Sequence, residues 1–426
     1  MELWTHPDEY NGTQTGAVEN GQVAATRSIR RLTDRAILSL LRHWLLDAYV
    51  ADYCRSLGAM RIFRRCYWID ALGGYTPKSL HVPSMPTETD STKGKKRQKS
   101  ATAAVPAALQ PITALAQSLA QESRPIALQS LLLTAGSGPR RAVKEAKKAS
   151  EQALSWPKEG GILASSWLES APTLLTELEQ APAIFLLDPL GAAIFSYEDL
   201  LPLYKRTAPT ELFFLIAHKQ IELRLQEAHS KVGQAQALTA LLRSDRWKTL
   251  ASKQGDEVNK GFLKLFITSM RRHFLWSPQA IDLPVQSGPA SITSLPYTLI
   301  YATRRPESLL IMNDALCHYR RNTYQQSYQG VLSEEWFAQQ EQKHRDEDLL
   351  QLSREIPQQG IALRIRRWPD LRQQLLLNNF GHFTQQEYDQ CMLQLIARQE
   401  VRCAWRQANG DNGTRVPGNE DTLIWR

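Results

Sequence analysis

Cysteine is sparse in this 426-residue chain: the five residues Cys54, Cys66, Cys317, Cys391 and Cys403 include no C-x-x-C pair. Neither a disulfide framework nor a zinc site is expected from such a scattered, odd set, which reads as reduced and mostly buried thiols. Long apolar runs are missing too, since none reaches the about 18 residues of a membrane-spanning helix. The opening Met1–Pro7 lacks the basic and apolar blocks of a secretory signal, so a cytoplasmic protein without membrane contact is expected. Signatures of catalysis are equally scarce. The nine histidines form no H-E-x-x-H, and His318 beside Cys317 has no second ligand pair at metal spacing. There is no P-loop and no G-x-S-x-G elbow, which excludes the common zinc-protease, P-loop and α/β-hydrolase chemistries, and no metal is expected.

What is present is a globular composition, 42% hydrophobic and 22% charged, at a length that suggests two or more domains. Two segments stand out. Cys66-Tyr67-Trp68-Ile69-Asp70-Ala71-Leu72-Gly73-Gly74 and Ala183-Ile184-Phe185-Leu186-Leu187-Asp188-Pro189-Leu190-Gly191 are each an apolar run of strand length. Each ends in Asp and then breaks into Gly or Pro, as a buried parallel strand does when it delivers a polar group to the carboxyl edge of its sheet. That edge is where open α/β sheets bind ligands.

Helical spacing of Ile37, Leu40, Leu41, Trp44, Leu45, Ala48, Tyr49 and Tyr53 predicts one long amphipathic helix from Thr33 to Leu57, capped by Thr33 or Asp34 and stopped by Gly58. Strands follow at Cys66 to Ile69, Ile126 to Leu133, Gly161 to Ala164, the run ending at Asp188, and Glu211 to Ala217, with helices between them. A further strand is expected at Tyr297 to Ala302 before helical Ser308 to Leu316. This alternation predicts a doubly wound, mainly parallel, Rossmann-like sheet. Pro139 to Leu154 reads as a surface helix, and Glu334 to Asp348 as a polar, charged connection. From Ile361 on, helices at Pro369 to Leu377 and Thr384 to Gln399 precede strands at Val401 to Arg406 and Thr422 to Trp425, around the turn Asn409 to Gly413. Helix, turn, helix and hairpin is the order of a winged helix, although short helical repeats give the same pattern. The expected division is an arm at 1–32, a Rossmann-like domain at 33–330 with a basic insertion loop at 84–108, a helical connection at 331–360 and a winged-helix-like domain at 361–426.

The net charge of +8 is moderate, but the excess is local: Lys93 to Lys99, Arg140-Arg141 to Lys147-Lys148, and Arg364 to Arg367. Lys95, Lys96, Arg97 and Lys99 are therefore candidates for DNA or RNA phosphate contact. Their setting, between a polar stretch and an Ala-rich one, equally describes a solvated loop.

Gly73-Gly74 would let a backbone approach a nucleotide-like ligand, but Tyr75, Thr76 and Pro77 follow where a dinucleotide fingerprint would need further glycines; a tight turn is the alternative. Asp188 and Pro189 form the sharper signal, because a carboxylate leaving so apolar a strand needs donors. It either faces a ligand across from Asp70 or caps its own loop. His218-Lys219, at the end of the fifth strand, lies on the same predicted edge.

The order of these motifs resembles the three-Cys-motif partner proteins, a bacterial family with a Rossmann-like methyltransferase fold, named for neighbours that look like radical-SAM proteins with three cysteines. The resemblance spans roughly Thr33 to Tyr319 and is sharpest at Ile69 to Gly74, Phe185 to Gly191, and Tyr301-Ala302-Thr303-Arg304-Arg305-Pro306 with Met312-Asn313-Asp314. It implies an S-adenosylmethionine pocket with Asp70, Leu72, Gly73 and Gly74 at the cofactor and Asp188-Pro189 at the methyl acceptor, in a chain whose partner is a radical-SAM-like three-Cys-motif protein. Two positions depart from the family. Thr76 stands where a second glycine is usual, and the second strand runs into Thr134-Ala135 without an acid for the ribose. Two functions follow: methyl transfer to an unknown acceptor, nucleic acid among the candidates, with Asp188 orienting or deprotonating it; or a non-catalytic partner or nucleic-acid-binding scaffold on a degenerate methyltransferase fold.

Overall fold

The structure is a computed structural model that describes residues 33–75, 77–80, 105–134, 161–250, 253, 255–288, 291–328, 333–406 and 415–425. The expected arm, most of the insertion loop including Lys95, Lys96, Arg97 and Lys99, the 139–154 helix and the 409–413 turn lie outside these residues.

Thr33 caps α1 (Asp34–Leu45), its hydroxyl accepting from the Ala36 amide at 3.3 Å. The expected long helix is present, but a π-helical turn over Leu46–Val50 separates α1 from α2 (Ala51–Ala59). That turn carries Tyr49, whose ring stacks on Tyr53 and whose hydroxyl reaches across to the buried Glu211 at 2.7 Å. Next come β1 (Arg65–Asp70), a single turn α3 (Pro77–Leu80), α4 (Gln110–Ala120), β2 (Ala127–Leu133), β3 (Gly161–Leu163), α5 (Trp167–Leu178), β4 (Ala183–Leu187), α6 (Tyr197–Lys205) and β5 (Thr210–Ala217). Capping boxes at Ser166 with Glu169 and Ser196 with Asp199 fix where α5 and α6 start. Helices α7 (His218–Ser230), α8 (Val232–Leu242) and α9 (Asp256–Met270) lead to a hairpin, β6 (Gln279–Gly288) and β7 (Ser291–Ala302).

The seven strands form one sheet in the order β3-β2-β1-β4-β5-β7-β6, in which β7 alone runs against its neighbours. The α/β class and the mainly parallel sheet are thus as expected. The hairpin is longer than the sequence suggested. Sequence reading finds only the last six residues of β7 and misses β6, because Pro284 and a Ser/Thr-rich turn mask the alternation of Ile281, Leu283 and Val285 that buries one face. Register shifts at Asp282/Pro284 and Gln286/Gly288 accommodate the proline.

One face of the sheet packs against α1, α2, α4 and α10 (Pro306–Tyr328), the other against α5 to α9. The polar stretch expected within a helical connection is the start of a 29-residue helix, α11 (Glu334–Ala362), with His344–Glu347 and Arg345–Asp348 spaced as i,i+3 pairs. Helices α12 (Trp368–Asn378) and α13 (Gln385–Ala397) follow, then β8 (Val401–Ala404) paired antiparallel with β9 (Thr422–Trp425). Leu32–Arg426 is one compact unit; Leu352, Ile356, Trp368 and Leu375 share a core with Leu309, Met312 and Leu316 of α10. No helix among the described residues is long and apolar enough to cross a membrane.

Candidate site at the carboxyl edge of the sheet

Strand β1 delivers Asp70 to the edge fully buried, where a carboxylate requires donors. It has four. The Leu72 amide donates to Oδ1 at 3.0 Å, Arg42 donates through Nε to Oδ2 at 2.5 Å and through Nη2 to Oδ1 at 3.2 Å, and the Tyr75 hydroxyl donates to Oδ2 at 2.5 Å. Arg42 Nη2 also reaches the Gly73 carbonyl at 2.5 Å, and its guanidinium lies 4.2 Å from the centre of the Tyr75 ring. Burial and the neighbouring carboxylate push the Tyr75 phenol far above its ordinary range, so it remains a donor.

The turn needs glycine for steric reasons. Gly73 and Gly74 have φ of +67° and +75°, and a Cβ on Gly74 would meet Leu38 Cδ1 at 2.5 Å, whereas Gly73 has open space. Leu72 packs half-buried against the core. Beside the turn is a cleft of about 230 Å³, lined among others by Ser39, Arg42, His43, Asp70, Gly74 and Tyr75. Ligand pockets generally run from about 300 Å³ upward.

Strand β4 delivers Asp188 with the same local geometry and different company. Its Oδ1 accepts from the Leu190 amide at 3.1 Å, and Pro189 offers its carbonyl to the Phe195 amide at 3.0 Å, so the segment closes on itself. A Cβ on Gly191 would come within 2.9 Å of Asp188 Oδ2, which accounts for glycine there. Burial pushes the Asp188 carboxyl up to about 6, against the Leu190 amide and the more distant Arg224. Arg224 itself donates to the Leu190 carbonyl at 3.2 Å and to the Gly191 carbonyl.

Further along the edge, the Thr298 hydroxyl donates its proton to Asp282 Oδ1 at 2.7 Å. His218 Nε2, 2.9 Å from that hydroxyl, is then the donor. Tyr297, on the opposite face of β7, is pushed up by burial and by Asp34 and Asp188. The structure therefore brings Asp70, Leu72, Gly73, Gly74, Asp188 and Pro189 to one edge, as expected. His218 lies at this edge as expected, and Tyr75 of the glycine turn fills the space beside Asp70; sequence reading missed Arg42, Tyr297 and the Asp282–Thr298 pair to which His218 bonds. Arg42 left a signal: it stands four residues after Leu38 and three before Leu45, on the inward side of an amphipathic helix.

The remaining motif of the resemblance lies elsewhere. Tyr301 and Thr303 donate to the buried Glu211 at 2.8 and 2.9 Å, at the amino edge of the parallel strands. Arg304 donates to the carbonyls of His273, Arg206 and Tyr204. Asn313 bonds the Phe383 carbonyl and the Gly381 amide, and Asp314 accepts from the Gln385 amide at 2.9 Å. These residues are fasteners of the fold.

S-adenosylmethionine fits this edge poorly. The Asp70 carboxylate that the resemblance places at the cofactor is already bonded to Arg42 and Tyr75, and the carbonyl of Gly73 to Arg42. Strand β2 ends at Leu133 and runs into Thr134, whose neighbour Ala135, like Thr76, lies outside the described residues. Among the described residues no cluster of His, Cys, Asp or Glu could hold a metal ion. No family model, curated protein or solved structure matches the chain.

Proposed function

We propose that this chain is a three-Cys-motif-partner-like protein of the cytoplasm whose methyltransferase-type cofactor edge is closed by its own side chains, and that it serves as a nucleic-acid-binding scaffold. The observation that carries this reading is the bonding of Asp70, both of whose oxygens are held by Arg42 with Tyr75 and Leu72 added. The strand order supports the methyltransferase-type fold: the first five strands follow the Rossmann order, and an antiparallel strand is inserted before the sixth. The C-terminal block supports a winged helix. The Leu423 amide donates to the Arg366 carbonyl at 2.7 Å and Trp425 Nε1 to the Ile365 carbonyl at 2.8 Å. The extended segment before α12 is thereby laid against β9, with β8 on the other side. On this reading a radical-SAM-like partner supplies any chemistry.

Calorimetric titration with S-adenosylmethionine tests the closed edge. No binding at millimolar cofactor is expected. Micromolar binding that disappears in Asp70→Ala would restore the methyltransferase reading, with Asp188, half-buried and held near neutrality, as the group that orients or deprotonates the acceptor.

A further inference from the structure

We propose that α13 enters the major groove of duplex DNA and that its glutamines read adenine–thymine pairs there. The inference rests on the winged-helix reading of the C-terminal block and deepens it to one ligand class and one surface. Gln386, Gln390 and Gln394 are exposed at four-residue spacing along α13, and their side chains form no hydrogen bond among the described residues. Thirteen residues make a rod about 20 Å long, and a helix matches the roughly 12 Å width of the B-form major groove. Glutamine can bond adenine N6 and N7 together, and a small apolar side chain suits the thymine methyl. The exposed Ala397, one turn past Gln394, supplies such a side chain.

The two carboxylates of the helix are neutralised from behind. Glu387 accepts from Arg321 at 2.7 Å and Arg345 at 2.6 Å, and Asp389 from Trp368 Nε1 and Arg372, each at 2.7 Å. A capping box at Thr384 and the bond from the Gln385 amide to Asp314 fix the helix on its support. The C-terminal block carries five exposed arginines: Arg398 one turn beyond Gln394, Arg402 on β8, and Arg364, Arg366 and Arg367 before α12. None forms an ion pair among the described residues, and the exposed acids of the same stretch are Asp370 and Glu400. Unpaired cations in the same block as a helix whose carboxylates are neutralised and whose glutamines are free complement phosphates flanking a groove. A-form RNA offers no comparable groove, because its major groove is too narrow and deep for side chains to read. A protein partner would gain little here, because the large apolar side chains exposed among the described residues of the block, Ile361, Leu363 and Ile424, are few and outnumbered by the arginines.

The test is fluorescence anisotropy of the full chain against A·T-rich and G·C-rich 20-bp duplexes, single-stranded DNA and double-stranded RNA, at 50 and 200 mM salt. Expected is tighter binding to the A·T-rich duplex, with Gln390→Ala/Gln394→Ala reducing that preference about tenfold or more. Arg398→Ala/Arg402→Ala should weaken both duplexes alike and lower the salt slope by about 2. All these side chains are exposed, so unchanged thermal midpoints are expected and serve as the folding control. Binding to duplex that neither double variant alters would overturn the role of α13 while leaving nucleic-acid binding through another basic segment intact. Equal affinity for RNA and DNA would overturn major-groove reading, and no binding to any nucleic acid at 50 mM salt would overturn both proposals.

Discussion

Replacing Arg42 by methionine keeps the aliphatic stem and removes the guanidinium, leaving Asp70 fully buried with the Leu72 amide and the Tyr75 hydroxyl as donors. Breaking a buried ion pair from one side typically costs about 3–5 kcal/mol, because the remaining charge has lost both water and its partner. Arg42 also bonds the Gly73 carbonyl, so the turn loses a fastening in the same step. The expected loss is therefore about 4 kcal/mol, a large share of the roughly 5–15 kcal/mol that holds a domain together. Tyr75→Phe removes one hydrogen bond and should cost about 1–2 kcal/mol. In Arg42→Met/Asp70→Leu no charge remains to be satisfied, and the double variant should be more stable than Arg42→Met alone. Urea unfolding followed by tryptophan fluorescence, with Trp44 and Trp68 in the adjoining core, provides the measurement. A loss below about 1 kcal/mol for Arg42→Met, or a double variant weaker than the single, would refute the reasoning: Asp70 would then be satisfied without Arg42 and free to serve a ligand.

Asp188→Asn should stabilise the protein at pH 8 and leave it unchanged at pH 4. A carboxyl raised from 3.8 to about 6 by burial favours folding below pH 3.8 and opposes it as pH rises through 6. That span corresponds to about 3 kcal/mol at full burial; partial exposure reduces the expected gain to about 1–2 kcal/mol, while asparagine still accepts from Leu190. Unfolding midpoints at the two pH values decide this, and destabilisation at pH 8 would contradict it. Glu387 has the opposite sign. Although burial opposes its charge, Arg345, Arg321 and Thr384 hold it down at about 2, so its contribution is present above pH 4.5 and is lost as pH falls toward 2. An acid titration of stability should be shallower for Glu387→Gln than for the parent, by about 1–2 kcal/mol across that window after allowance for solvent screening; parallel curves would remove Glu387 from the acid limb.

Much of the sheet was legible because Ala183–Leu187 and residues 212–217 of β5 are continuous apolar runs that only a doubly covered sheet can bury. What stayed hidden was set by pairing across distance. Strand β6 contains a proline and two register shifts, so its alternation is broken locally and restored only by β7. The site shows the same division more sharply. Asp70 and Asp188 are indistinguishable in local pattern, and each closes a turn by accepting from the amide two residues on. Their difference comes from outside the pattern: α1 passes over the first and brings Arg42, while the second receives no cation within bonding distance among the described residues. A strand-end Asp therefore predicts a turn, and only the opposing helix decides whether its charge is available.

The same logic bears on how the two halves of the chain work together. Met312-Asn313-Asp314, among the sharpest elements of the resemblance, fastens the turn between α12 and α13 to α10, with Arg320 adding bonds to the Phe380 and Gly381 carbonyls. Gly381 sits at φ +74° against Leu316, where a Cβ would come within 2.3 Å of a side-chain carbon, so the turn must be glycine to lie this close. A helix mounted in this way cannot swing freely on a linker. If α13 docks on DNA, α10 and the sheet it covers are held at a fixed position over the duplex, which is the arrangement a scaffold needs to present a second protein to nucleic acid.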